Sequence, residues 1–137
     1  MRCAGNAHGR HLLTVLVGVA TQWQTVGVLH KTALYMVATD ISTTIERGAD
    51  WTVGLRLRTS QENLDLTDWS FVAYLINSAG HIFQTIPAIL VATDCVSFQL
   101  TNSVTLSLPA QSAHWEIWAT RSDHYKMRLV AGGATIV

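Results

Sequence analysis

The chain has 137 residues, of which 49% are apolar and only 13% charged. Nine basic residues offset nine acidic ones, so no net field directs it to nucleic acid or an anionic membrane, both of which recruit clustered positive charge. The length suits one domain with one core, and near-neutrality favours self-association over dispersed monomers.

Met1–Tyr35 differs in pattern from the rest of the chain. Arg2 and Arg10 lead into an apolar run from Leu12 that closes on Gly18-Val19-Ala20. Three readings stand for this segment, residues 1–35. It is a short secretory signal with a small-residue cleavage site, or an over-extended start with translation beginning at Met36, or an extra strand or helix docked on the domain. The run is too short to span a bilayer, which takes about 20 apolar residues. The domain itself is taken as residues 36–137.

From Met36 onward, β-branched Ile41–Ile45 reads as a first strand, with Gly48 relieving a bend after it. Trp51–Arg58 alternates, placing Trp51, Val53, Leu55 and Leu57 on one face and Thr52, Arg56 and Arg58 on the other. A polar turn comes next, and Asp65 and Thr67 have the side chains to bond backbone amides and close a local turn that presents Trp69. Phe71–Ile76 is apolar apart from amphipathic Tyr74, and Asn77-Ser78-Ala79-Gly80 signals a hairpin into His81–Ile86. Pro87, without an N–H, is expected to end that strand or mark an edge. Ile89-Leu90-Val91 is a short apolar continuation, and Cys95–Leu100 alternates as another strand.

Thr101–Leu108 differs in kind. Thr101 or Asn102 is placed to cap one helical turn that Pro109 stops, with Val104 and Leu108 on one side. His114–Thr120 then puts Trp115, Ile117 and Ala119 on one face, Ser122-Asp123-His124 turns, and Tyr125–Val130 returns. About seven or eight short strands and one helical turn predict an all-β fold, an antiparallel Ig-like β-sandwich.

Residue types that carry chemistry are scattered. The six histidines form no metal-binding spacing on a helix; His114 and His124 flank one hairpin, near Glu116 and Asp123, and are expected to be solvated. No nucleophile elbow or phosphate loop occurs. Cys3 and Cys95 lack the C-x-x-C spacing of zinc and redox sites and are expected as buried free thiols. Arg56, Arg58, Lys126 and Arg128 fit a solvated outer face or a polar rim around an aromatic contact. Trp118 falls opposite Trp115 and Ile117, on the face of His114 and Glu116, and is the candidate interface aromatic. The candidate interface residues are therefore Trp118, Arg56, Arg58 and Arg128, with no catalytic, cofactor or metal residue expected.

Several short motifs recur in a known order: Arg47-Gly48-Ala49-Asp50, Leu64-Asp65-Leu66-Thr67-Asp68-Trp69, the Gly80 hairpin, Leu106-Ser107-Leu108-Pro109-Ala110, and Arg128-Leu129-Val130-Ala131-Gly132 before Thr135-Ile136-Val137. With them the chain resembles a small β-sandwich domain of tailed bacteriophages and prophages, similar to the N-terminal domain of phage baseplate upper proteins, over residues 45–137. Asp68 stands where that pattern has glycine, and the Gln61-Glu62-Asn63 turn lacks its Asp-Gly or Asn-Gly pair. The resemblance implies a non-enzymatic virion subunit of the baseplate, tail or an adaptor. It would be made in the bacterial host cytoplasm and dock to other virion proteins as part of a homo-oligomer, without cofactor, nucleic acid or membrane. A capsid decoration protein is the alternative within that class. In another class stands a secreted carbohydrate- or ligand-binding module, in which Trp118, Tyr74 or Trp69 would stack on a sugar.

Overall fold

The computed structural model describes the backbone of residues 12–19, 22–30, 39–58 and 64–137, with side chains from 41–57 and 64–137. Among these described residues the fold is all-β with one short helix. The strands are β1 (Leu12–Val19), β2 (Gln22–His30), β3 (Thr39–Asp40), β4 (Thr43–Ile45), β5 (Trp51–Arg58), β6 (Ser70–Ile76), β7 (Ile82–Ala92), β8 (Cys95–Leu100), β9 (Gln111–Thr120) and β10 (Lys126–Ile136), with α1 (Asn102–Ser107) between β8 and β9. They run in the order β2-β1-β5-β8-β7-β6-β9-β10-β3, with β4 also on β10.

β7 makes this order continuous. Its first half pairs with β6, from Ile76↔Ile82 to Val72↔Pro87, and its second half pairs with β8, from Ala88↔Phe98 to Ala92↔Cys95. Pro87 does not end the strand; of the two expectations it meets the second, since β7 leaves β6 after Val72↔Pro87 and pairs on with β8. A residue with no N–H suits the place where one ladder stops. The sheet folds back so that β5 and β8 face β6, β9 and β10 across one core. Trp51 and Trp115 meet edge to face there at 5.9 Å, each with its indole N–H satisfied, by Thr43 Oγ1 at 3.0 Å and the Ile41 carbonyl at 2.8 Å. Large apolar side chains such as Leu55, Leu75, Phe98 and Ile117 are fully buried, each contributing roughly 1.5–3 kcal/mol.

Two features depart from the expected pairing, antiparallel throughout residues 36–137. β3 and β4 run parallel to β10. Strands this short take their place from what they bury and bond, here Ile45 in the core and the pair Arg47 N–H to Val137 O and Val137 N–H to Ile45 O, both 3.0 Å. The residues Leu12–Val19, in the segment read as leader or docked element, pair with β2 and with β5, making β5 an interior strand.

Val104 of the helix and Leu108 just after it pack on the core, the side expected of them, but the helix cap comes from elsewhere. Thr101 makes no capping bond; Asp50 Oδ1 accepts the Asn102 N–H at 2.7 Å instead. Buried Thr105 takes the Gly48 N–H at 3.1 Å and donates to the Ala49 carbonyl at 2.8 Å, while Arg47 donates to the Leu106 carbonyl at 3.1 Å. Arg47-Gly48-Ala49-Asp50 is thus a seat for α1, and Gly48, at φ 87°, gives the turn its left-handed step.

Candidate interaction face

β9 divides its side chains cleanly. Trp115, Ile117 and Ala119 enter the core, while His114, Glu116, Trp118 and Thr120 are half-buried on the outer side. Register brings neighbours to that side: Ile76, Tyr74 and Val72 of β6 lie opposite His114, Glu116 and Trp118. On the other flank, Arg128 of β10 lies opposite Trp118 and Ala131 opposite Glu116. A register shift between Arg128 and Val130 lets Leu129 and Val130 both reach the core while Arg128 stays outside, as a bulge does.

Glu116 ties the face together. Its Oε1 accepts the Trp118 indole N–H at 3.0 Å. Its Oε2 accepts Arg128 Nη1 at 2.9 Å and contacts His114 Nε2 at 3.3 Å. Burial pushes the Glu116 carboxyl up, but the bonds from Trp118, Arg128 and His114 together outweigh it and hold the group below its ordinary value. A carboxylate so engaged stays ionised and serves as a fixed acceptor, which suits recognition better than proton transfer. The indole is thereby held in one orientation on the sheet surface, across from Val72.

The expected interface residues part ways here. Trp118 and Arg128 meet on this face. Arg56 does not join them: it is only 2% exposed. The expectation of an outer arginine assumed a solvated side of β5, yet Gly54, Arg56, Cys95 and Ser97 are all buried on that side of β5 and β8. A buried guanidinium persists only when engaged, and Arg56 is engaged. The Arg58 side chain lies outside the described residues. His114 sits opposite Gly133 near the start of β9, whereas His124 is in the turn after its end, with φ 68°, so the two do not approach each other. Among the described residues no cluster of three or more His, Cys, Asp or Glu could hold a metal ion. Cys95 is disulfide-bonded, not the free thiol expected. Glu116 is the residue that sequence reasoning undervalued; its position two from both His114 and Trp118 on one strand face was the available signal.

No protein-family model matches the sequence, and no curated protein is similar to it. Among solved structures the chain is similar to the BSP domain of a biofilm associated protein, at 10% identity and a TM-score of 0.29 over 93% of this chain. This chain spans 25% of the length of that one. Among the described residues no helix is long and apolar enough to cross a membrane.

Proposed function

We propose that the chain is a non-enzymatic docking module, a β-sandwich of Ig-like character that acts through buried surface and takes its place as a structural subunit of a tailed-phage virion. The observation that carries the docking role is the outer face of β6, β9 and β10, where Trp118 is fixed by Glu116 and flanked by Arg128 and Tyr74. Tryptophan, tyrosine and arginine gathered on one face are the composition of protein interface hot spots. The virion assignment rests on the motif resemblance. It is tested by mass spectrometry of cells, medium and purified particles, with Trp118→Ala beside the parent. The parent is expected in particles and the variant to be depleted from them at least tenfold; equal incorporation of the variant removes Trp118 from the docking role.

A second reading is favoured by one observation. Disulfides persist in oxidising compartments, and the Cys95 disulfide therefore supports a secreted ligand- or carbohydrate-binding module. Recovery of the protein from the medium and its absence from particles would establish that reading over the first.

A further inference from the structure

The outer face of β6, β9 and β10 is graded from apolar to basic. β6 presents Val72, Tyr74 and Ile76, all half-buried. Next to it β9 presents Glu116 and Trp118. On the far side β10 presents Lys126 and Arg128, opposite Thr120 and Trp118. Lys126 is exposed, and the Arg128 side chain is 46% exposed. Glu116 is the one carboxylate of these three strands, and its side chain is only 13% exposed.

Charge complementarity selects the partner. Glu116 spends both oxygens on Trp118, Arg128 and His114, so its charge is answered within the face. Arg128 spends one of its N–H groups there, and Lys126 lies outside that cluster. The charge that an arriving surface meets is therefore positive. At the hairpin end Asp123 is bound by Arg121 at 2.6 Å, and Asp68 precedes β6, two strands away from Lys126. Two basic side chains are too few for nucleic acid or an anionic bilayer, which draw on clustered charge. They suffice for a carboxylate, which a guanidinium holds by charge-assisted hydrogen bonds. Val72 and Ile76 offer nothing to a sugar hydroxyl but pack well against aliphatic and aromatic side chains. We infer that this face takes a protein segment that sets large apolar side chains on Val72, Tyr74 and Trp118 and acidic side chains on Arg128 and Lys126, one strand spacing of about 5 Å to the side. This rests on the docking reading above and supplies the chemistry of its partner.

A yeast-displayed library of random peptides is selected on the immobilised full chain, and the enriched peptides are synthesised and titrated by fluorescence polarisation. They are expected to pair Asp or Glu with Trp, Phe or Leu. Their affinity should fall about tenfold on Trp118→Ala and on Lys126→Glu, the second loss shrinking as salt is raised. Lys126 takes no part in the bonds to Glu116, so its reversal leaves the hold on Trp118 in place. Should Lys126→Glu fold poorly, Lys126→Gln serves instead, with a loss of about threefold expected for one exposed charge. Enrichment of basic or uncharged peptides, no enrichment at all, or acidic peptides that bind Lys126→Glu as tightly as the parent overturns the inference. So does binding of oligogalacturonate that depends on Trp118 where no peptide is enriched, which would carry the secreted reading. Depletion of Trp118→Ala from particles is read separately, so a wrong partner chemistry and a failed docking role are told apart.

Discussion

Trp115 and Trp118 lie on the same strand, three residues apart, and are treated in opposite ways. Trp115 is 1% exposed, packed edge to face on Trp51, and its N–H goes to a backbone carbonyl. Trp118 is half-buried, and its N–H goes to a carboxylate that is itself held by a guanidinium. The first indole is surrounded by protein and contributes to folding. The second keeps one side to the solvent and is held still by charge, an arrangement that adds little to folding but lowers the entropy cost of meeting a partner. On the proposed reading, the pleat of one strand separates the work of stability from the work of recognition.

The comparison can be broken by measurement. Trp115→Ala is expected to lower unfolding free energy by about 3–5 kcal/mol, the usual cost of deleting a large buried aromatic, read from urea unfolding. Trp118→Ala should cost about 1 kcal/mol or less in the same experiment, in keeping with a solvent-facing site. Equal losses would mean that the outer face is a second core and not a recognition surface. The smallest effect concerns Glu116. Its pKa is lowered in the folded chain, so its contribution is present above the unfolded value and disappears as pH falls through the folded one. Stability of the parent should therefore fall off below about pH 4.5 more steeply than that of Glu116→Gln, which lacks this titration. Identical acid unfolding curves would show that the Trp118 and Arg128 bonds to Glu116 do not hold the face in solution.

Much of the local structure was legible because it depends on short-range physics. The period of two in Trp51–Arg58 and His114–Thr120 named their buried sides correctly. Asn77-Ser78-Ala79-Gly80 closes its hairpin with Asn77 Oδ1 accepting the Ala79 and His81 N–H groups, both at 3.0 Å. Asp65 Oδ1 accepts the Thr67 N–H, as its side chain suggested, while the Thr67 hydroxyl donates to that same oxygen in place of bonding a backbone amide. What was not legible depends on long-range neighbours. Alternation places Arg56 opposite Leu55 and Leu57 but cannot say whether that second side is also covered. Pro87 signals a missing donor, and only the presence of β8 nearby turns a strand end into a change of partner. Asp50 is an ordinary loop carboxylate until α1 arrives from far along the chain. The face around Trp118 was half legible: the tryptophan and Arg128 stood out, whereas Glu116 gained its role from Arg128, which register alone brings beside it.

The seat of α1 and the place of β10 bear on how the molecule is made. The bonds joining Arg47-Gly48-Ala49-Asp50 to α1 close sequence separations of 52 to 59 residues, and β3 and β4 pair with β10, near the end of the chain. During synthesis the segment around Ile45 leaves the ribosome long before the strand that shelters it. Contacts of such separation close slowly, so apolar strand edges stay open to other chains meanwhile. Early β3 and β4 are short, which limits what a stray chain can seize, and the sheet is completed only when β10 slides in between them and β9.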